Sequence, residues 1–169
     1  MLYYALAQPH PDFPLRLLAR ADRLVRLDID DPRGQPGWTH NDDHPVLRKA
    51  RRQLELYFAG KLRDFDLPLQ LDGTPFQQRV WRALLAIPYG ETSTYGDLAR
   101  RLQPPNVPRA VGQANGANPI AIIVPCHRVI AYDGTLGGYG PGLPRKRFLL
   151  ELERRTALGR GEACLARTY

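Results

Sequence analysis

Residues 122–130 read Ile-Ile-Val-Pro-Cys-His-Arg-Val-Ile, and they carry the strongest structural signal in this 169-residue chain. The apolar, β-branched run predicts a buried strand, which Pro125 would end in a fixed kink. Such a kink holds the next side chain rigidly, so Cys126 could be a nucleophile with His127 as its proton partner. The alternative is a structural cysteine, because free cysteine is among the most buried residue types. The polar pair His127-Arg128 favours the reactive site, since a core strand should not carry both side chains.

The length and the cysteine content predict one or two small domains in a reduced, cytoplasmic compartment. The two cysteines, Cys126 and Cys164, have neither the spacing of metal ligands nor that of a disulfide framework. No apolar run is long enough to span a membrane, and residues 1–8 lack the basic start and long apolar core of a signal peptide. We therefore expect no membrane partner and no metal site.

The net positive charge lies entirely in the second half of the sequence. Residues 1–73 contain 11 basic and 11 acidic side chains, whereas residues 74–169 contain 13 basic and 6 acidic ones and so hold the whole net charge of +7. A basic half that also contains Cys126 indicates a polyanionic partner, nucleic acid first. A solubilising surface would explain the charge equally well.

The first half predicts a small α+β domain that ends at the Asp72-Gly73 turn and contains no chemical motif. Its histidines, His10, His40 and His44, are expected on the surface. The predicted elements are a strand at 2–7, a hairpin of 15–19 and 23–29, a loop at 30–43, a helix from Pro45 to a stop at Gly60, and a short strand at 67–71.

The second half predicts a mostly helical domain with a helix-turn-helix. Its first helix begins with a capping box at 74–77, which has proline at the first helical position, and continues as an apolar face to Leu85. The remaining predicted elements are two short helices at 95–102 and 109–116 around a turn at 103–106, a glycine-rich loop at 137–142 and a last helix from Pro144.

The predicted helix at 109–116, called the sparse helix below, has few bulky side chains. Ala110, Gly112, Ala114 and Gly116 would let it approach another surface closely. That surface could be DNA, given the charge, or a neighbouring helix in the protein core. The sparse helix alone supports both interpretations equally.

Asn118 to Ile130 closely resembles the active-site signature of the O6-alkylguanine-DNA alkyltransferases. Five further segments resemble the same family in its order and spacing: Phe-Gln-Gln-Arg-Val-Trp at 76–81, Ile-Pro-Tyr-Gly-Glu-Thr at 87–92, Tyr-Gly at 95–96, Arg-Ala-Val-Gly at 109–112 and Gly-Gly-Tyr-Gly at 137–140. The resemblance implies an α+β protein. A small N-terminal α/β domain, ribonuclease-H-like, would occupy 1–73. A mostly helical C-terminal domain with the helix-turn-helix and the active-site cysteine would occupy 74–169.

The resemblance also implies a reaction, the transfer of an alkyl group from O6 of guanine to the Cys126 sulfur. This chemistry needs a thiolate, a proton acceptor and a group that neutralises the leaving base. By similarity to the family, His127 takes the thiol proton through a water, and Glu153 on the last helix orients His127. Asn118 ties the cysteine turn to the preceding helix, and the Tyr95 hydroxyl donates toward the flipped guanine. Without the resemblance, Glu153 would be interpreted as a solvated carboxylate.

The implied base pocket is built largely from backbone groups. By similarity, Tyr139 stacks against the guanine, while the carbonyls of Cys126 and Val129 and the amide of Gly140 read its edge. Ala121 departs from the family pattern, in which a proline often lines the pocket, so we expect a different tolerance of bulky adducts. Residues 9–14 also differ from the usual first hairpin.

The implied partner is double-stranded DNA that carries O6-alkylguanine, a base that must leave the duplex to react. By similarity, Arg109 fills the vacated space while the helix at 109–116 enters the minor groove, where Ala110, Gly112 and Ala114 permit close approach. Tyr95 and Gln113 complete the predicted DNA-binding set. We expect a monomer in solution, and both assembly on DNA and activity on O4-alkylthymine are left open.

Two other classes of protein are alternatives. A non-catalytic damage-binding protein of the alkyltransferase-like group would lack the reactive cysteine, which this chain has. A cysteine hydrolase could use Cys126 and His127, but the sequence contains no obvious oxyanion site at a helix start, and Arg109 would be unexplained. The resemblance implies a single-turnover alkyltransferase with no metal or organic cofactor, since the thioether product is stable.

Overall fold

The computed structural model describes residues 1–31, 33–102 and 108–159, and the chain forms two compact units. The first unit comprises Met1–Asp72 together with Pro119–Ile123, a short segment from the second half of the sequence. The second unit comprises Gly73–Asn118 and the chain from Val124 onward. The predicted turn at 103–106 and Cys164 lie outside the described residues.

The first unit is a four-stranded sheet with one helix. Strands β1 (Leu2–His10), β2 (Phe13–Arg20), β3 (Arg23–Ile29) and β4 (Trp38–His40) are arranged in the order β3-β2-β1-β4. The hairpins β1-β2 and β2-β3 are antiparallel, and β4 runs parallel to β1 with Trp38 opposite Leu2. Helix α1 (Pro45–Phe58) buries one face at helical spacing; the buried residues of α1 are Val46, Leu47, Ala50, Leu54 and Tyr57.

Three features of this unit differ from the prediction. Strand β4 lies inside the predicted loop 30–43, because three residues pair with β1 without a periodic apolar signal of their own. Among residues 67–71, predicted to form a strand, Leu69 makes an isolated bridge to Leu24. The expectation of a surface position is wrong for His44, which is 9% exposed and packs its ring against Tyr3.

The second unit is mostly helical, as predicted. Thr74 and Gln77 form the capping box, with bonds of 2.9 and 3.2 Å between side chain and backbone. The elements are α2 (Pro75–Leu85), β5 (Ser93–Thr94), α3 (Tyr95–Arg101), α4 (Pro108–Gly116), a 3₁₀ helix (Cys126–Arg128), β6 (Val129–Ile130) and α5 (Leu143–Ala157). The described helices include none that is long and apolar enough to cross a membrane.

The run before the cysteine is not the predicted strand. Residues 121–124 form turns, with local bonds from the Ile123 amide to the Ala121 carbonyl and from the Cys126 amide to the Val124 carbonyl, both 2.8 Å. Ile122 has a φ of +72°, which is rare for a β-branched residue. The β-branched pattern here therefore reflects burial and not strand pairing, since Ile122 is 1% exposed and Val124 is fully buried.

Candidate active site

Cys126 is the first residue of the 3₁₀ helix and is 6% exposed. The side-chain amide of Asn118 donates to the Val124 carbonyl at 2.7 Å, so it ties the turn before the cysteine to the end of α4. Asn115, on the last turn of α4, donates to the Cys126 carbonyl at 3.4 Å. Two asparagines of one helix end therefore hold the backbone that presents the sulfur.

His127 and Glu153 form a buried pair. The His127 Nε2 and Glu153 Oε1 atoms are 2.7 Å apart, and both residues are fully buried. The other ring nitrogen of His127, Nδ1, is buried and has no hydrogen-bond partner among the described residues. The interpretation of Glu153 as a solvated carboxylate is thus wrong, and the geometry leaves Nδ1 as the ring atom that can accept a proton.

Glu153 also binds Arg128, the residue after His127. Arg128 donates from Nε to Glu153 Oε2 at 2.9 Å and from Nη2 to Oε1 at 3.1 Å, and its Nη1 donates to the Ile87 carbonyl at 2.7 Å. The amide of Gly90 adds a longer bond to Oε2 at 3.3 Å. A bidentate guanidinium fixes the plane of the carboxylate, so Glu153 can present Oε1 to His127 in one orientation.

The protonation states of this group follow from its burial. Burial raises the pKa of the Cys126 thiol, although a hydrogen bond from Asn118 and the positive charge of Lys146 lower it in part. Burial lowers the pKa of His127 despite the opposing effect of Glu153. Burial alone would raise the pKa of Glu153, but His127 and Arg128 lower it to about 2. At neutral pH the site therefore holds a thiol, a neutral imidazole and a carboxylate.

Lys146 is a fully buried cation beside this group. It lies on the buried face of α5, where Leu149, Leu150 and Glu153 follow at helical spacing. Its Nζ donates to the carbonyl of Val129 at 2.6 Å and to the carbonyl of Gly138 at 3.1 Å. Burial lowers the pKa of Lys146 to about 8, with the nearby Cys126 acting in the opposite direction.

Two tyrosines predicted for the site, Tyr95 as a donor to the flipped guanine and Tyr139 as the pocket aromatic, lie close enough to Cys126 to interact with it electrostatically. Burial raises the pKa of Tyr95 and of Tyr139, and the proximity of Cys126 raises both further. The Tyr139 hydroxyl is buried and unpaired within the described part of the chain. Val129 is fully buried, and Gly140 is exposed with open space where a Cβ would be. Ala121 is half-buried in the Pro119–Ile123 segment, and its role in the pocket stays a prediction.

Helix α4 has a buried face and an exposed face. Packing against another helix, one of the two interpretations of its small residues, fits the buried face, and approach to DNA fits the exposed face. Val111, Ala114 and Asn115 are buried, and the Trp81 indole donates to the Ala114 carbonyl at 2.8 Å. The expectation that Ala114 faces the groove is therefore wrong, because this residue packs inside the protein. Arg109, Gln113 and Gly116 are exposed on the other face, with Ala110 and Gly112 half-buried. Beside α4 lies an open, apolar cavity of about 710 Å³ that is lined by Tyr95, Gly96, Pro108, Arg109, Gly112, Gln113, Ala131 and Tyr132.

Family comparisons cover both units. The description "6-O-methylguanine DNA methyltransferase, DNA binding domain" matches residues 75–155, and "6-O-methylguanine DNA methyltransferase, ribonuclease-like domain" matches residues 2–71. The methylated-DNA–protein-cysteine methyltransferase of Mycobacterium tuberculosis (strain ATCC 25618 / H37Rv) is 53% identical over 148 residues, which are 87% of this chain and 90% of the relative. The chain belongs to the 6-O-methylguanine DNA methyltransferase family.

Other members of the 6-O-methylguanine DNA methyltransferase family are similar along the same length. The methylated-DNA–protein-cysteine methyltransferase of Haemophilus influenzae is 44% identical over 163 residues, 95% of this chain and 90% of the relative. The crystal structure of M. tuberculosis O6-methylguanine methyltransferase matches at 50% identity with a TM-score of 0.82, covering 92% of this chain and 94% of that one. M. tuberculosis OGT in complex with DNA matches at 49% identity and a TM-score of 0.81, covering 92% and 93%.

Three polar residues of this methyltransferase-family chain contact the site although they were not predicted for it: Asn115, Arg128 and Lys146. Arg128 and Lys146 carry a signal in the sequence, because each is a basic residue within an apolar pattern that predicts burial. Asn115 has no such signal, since an asparagine near a helix end is usually a local cap. The described residues contain no group of three His, Cys, Asp or Glu side chains that could hold a metal ion.

Proposed function

We propose that this chain repairs DNA by transferring the alkyl group of O6-alkylguanine to the Cys126 sulfur, once per molecule. The observation that carries the proposal is the buried His127-Glu153 pair next to Cys126, with the His127 Nδ1 atom unpaired among the described residues. Buried polar atoms without a partner are rare in proteins and call for a functional reason. A water between this nitrogen and the thiol would provide the proton path.

The reaction begins with removal of the thiol proton. His127 accepts it at Nδ1 through the water, and Glu153 stabilises the imidazolium that forms. The thiolate then attacks the saturated carbon in line: the S–C bond forms, the C–O6 bond breaks, and the electron pair stays on the guanine. Tyr95 donates toward the leaving base as negative charge develops on it. The thioether has no route back to the thiol, so the protein is consumed.

Access to the base explains the exposed face of α4. A paired guanine must leave the duplex, which costs a few kcal/mol of unstacking that an inserted side chain can offset. Arg109 is exposed at the start of α4 and is suited to this insertion. A Cβ on Gly112 would lie 3.8 Å from the Tyr95 ring, and one on Gly116 would meet open space, so neither glycine is required by packing. Their lack of side chains instead permits close approach to a groove.

The partner in this proposal is double-stranded DNA, bound by a monomer through the basic second half of the sequence. A cytoplasmic location is proposed on the cysteine content, since a reduced compartment would keep the Cys126 thiol available for reaction. The presence of Cys126 next to His127, a competent base, favours an alkyltransferase over a damage-binding protein. The exposed Arg109 on the face of α4 that lacks bulky side chains favours it over a hydrolase.

Intact mass spectrometry after mixing with a duplex that contains O6-methylguanine tests the proposal. We expect the mass to increase by one methyl group, located on Cys126 by peptide mapping, and the increase to be absent in Cys126→Ala. Tight binding with no change of mass would replace the proposal by the damage-binding alternative. Repeated turnover without an adduct would replace it by a hydrolase.

A further inference from the structure

Tyr132 is the one aromatic residue in the described part of the chain whose side chain is exposed, at 93%. Single apolar side chains are ordinary on protein surfaces, so exposure alone does not indicate a binding site. Two further observations distinguish this residue. Its backbone is held in a tight turn, and its side chain lines the apolar cavity beside α4.

The turn fixes the backbone of Tyr132 through four hydrogen bonds. The Ala131 carbonyl accepts from the Gly134 amide at 3.1 Å, and the Ala131 amide donates to the Thr135 carbonyl at 3.0 Å. The Asp133 carboxylate accepts from the amide and the hydroxyl of Thr135 at 3.0 and 2.7 Å. Tyr132 is a central residue of this turn. A ring on a fixed backbone loses little conformational freedom when it binds a partner.

The cavity joins the exposed face of α4 to the surroundings of the reactive cysteine. Arg109 and Gln113 line it from the exposed face, and Tyr95, which also lines it, lies close enough to Cys126 to interact with it electrostatically. Its volume of about 710 Å³ is within the range of about 300–1,000 Å³ that is usual for ligand sites. A DNA strand that lies on α4 and delivers a base to Cys126 therefore occupies this cavity, with Tyr132 beside it.

The lining indicates which part of a DNA strand Tyr132 meets. An apolar wall does not stabilise a phosphate, which needs donors or positive charge, whereas it suits the flat face of a base. Positive charge lies at the edge of the cavity. Arg109 is exposed there, and a Cβ on Gly96 would lie 3.4 Å from the guanidinium of Arg100, which also binds Asp97. These two cations suit the phosphates, and the aromatic ring suits a base between them.

We propose that Tyr132 is a further DNA-contacting residue, whose ring stacks on the nucleobase next to the flipped guanine. The inference rests on the proposed function, because flipping removes a stacking partner from the neighbouring bases and leaves a base face uncovered. Stacking on an aromatic ring is tolerant of sequence, since every base has a π-face. The contact therefore holds the opened duplex without restricting the sequence around the lesion.

Photocrosslinking locates this contact. The full chain with Cys126→Ala, which cannot accept the methyl group, is bound to duplexes that contain O6-methylguanine. In each duplex one neighbour of the lesion is replaced by 5-iodouracil, which couples on irradiation to an aromatic side chain stacked on it. We expect the crosslinked peptide to contain Tyr132, and 5-iodouracil placed far from the lesion to give no crosslink to Tyr132. Crosslinks from the neighbouring positions that map only to other residues would overturn the inference.

Fluorescence anisotropy with the methylated duplex, also in Cys126→Ala, measures what the ring contributes. Tyr132→Ala should weaken binding by about fivefold or more, the usual effect of losing one base–aromatic stack. Tyr132→Phe keeps the ring and should stay within about twofold of the parent, as should Leu158→Ala, which truncates an exposed apolar residue that does not line the cavity. Unchanged binding by Tyr132→Ala, or an equal loss in Tyr132→Phe, would overturn the stacking contact.

Reaction with free O6-benzylguanine separates contact with DNA from support of the base pocket. With Cys126 intact, Tyr132→Ala should react with the free base within about twofold of the parent rate, because this substrate has no neighbouring base to stack. An equal loss on duplex and free base would overturn the inference. The crosslink is measured in Cys126→Ala and does not depend on methyl transfer. Failure of the proposed function, seen as no transfer to the unmodified chain, is therefore distinguishable from failure of this contact.

Discussion

At the scale of single residues, Glu153 shows how one carboxylate can serve two purposes. It binds His127 through Oε1, and it is itself held by Arg128 and by the Gly90 amide. The adjacent residues His127 and Arg128 therefore converge on the same group from one turn of 3₁₀ helix. Sequence patterns alone did not place Glu153 here: its position on α5 is compatible with a solvated face, and the prediction depended on the family resemblance.

His127→Gln should slow alkyl transfer from a methylated duplex by about 10²–10⁴-fold, the usual contribution of a positioned general base. Cys126 is a thiol at neutral pH because burial raises its pKa, so the proton needs an acceptor. Quenched single-turnover reactions with mass detection of the Cys126 adduct provide the measurement. The deficit should shrink at high pH, where hydroxide replaces the base. A loss below about threefold at neutral pH would show that His127 does not take the proton.

Gly90→Ala should destabilise the protein more than Gly134→Ala, by about 1–3 kcal/mol in the free energy of unfolding. Both glycines have a positive φ, +80° and +83°, so both variants place an alanine in the left-handed region at a similar φ. A Cβ at Gly90 would also approach the Ala157 Cβ to 2.6 Å, whereas one at Gly134 would have open space around it. Urea denaturation measures the difference, and equal losses in the two variants would contradict the steric contribution.

At the scale of elements, the helices could be predicted from the sequence and the cysteine segment could not. The capping box at Thr74, the proline starts and the 3.6-residue apolar period are local signals, and they place α1, α2 and the start of α5 to within a residue or two. Residues 121–124 lack such a signal, because a run of buried β-branched residues looks the same in a strand and in a buried turn. Strand β4 was missed because its pairing with β1 is non-local.

Arg109→Ala should reduce methyl transfer from duplex DNA by about tenfold or more and change the reaction with free O6-benzylguanine by less than about threefold. Arg109 is exposed at the start of α4, and only the duplex substrate requires a base to be flipped. Rates on both substrates are compared in one preparation. Gln113→Ala, a truncation on the same exposed face, separates loss of insertion from general loss of DNA contact. Equal losses on duplex and free base would contradict the role given to Arg109.

At the scale of the whole molecule, the buried ionisable groups make the free energy of unfolding decrease as the pH falls into the acid range. The folded-state pKa of His127 lies below its ordinary value of 6.5, and that of Glu153 lies at about 2 against an ordinary 4.5. In both cases the unfolded chain takes up the proton first as the pH falls. The unfolding free energy should therefore decrease below about pH 6.5 and decrease further between about pH 4.5 and pH 2.

Urea denaturation at a series of pH values checks this dependence. Glu153→Gln should be less stable at neutral pH and should show a flatter decline between about pH 4.5 and pH 2, because the lowered pKa of Glu153 no longer contributes. Glu151→Gln should flatten the decline less, since Glu151 makes its ion pairs with Arg154 and Arg155 nearer the surface. A Glu153→Gln profile parallel to that of the parent protein would rule out this carboxylate as a source of acid sensitivity.

The segment Pro119–Ile123 limits how this chain can be divided. Its Pro119 carbonyl accepts a bond of 2.9 Å from the Leu27 amide, and Ile120 forms a bridge with Leu27, within the first unit. A fragment cut at Asp72 would retain these residues without strand β3 and would carry three isoleucines, Ile120, Ile122 and Ile123, that are at most 4% exposed in the intact chain. The second half of the sequence therefore cannot be separated from the first half without exposing part of the first unit. Fusion proteins or chimaeras that use the second half should keep the first half, or replace its packing against Pro119–Ile123.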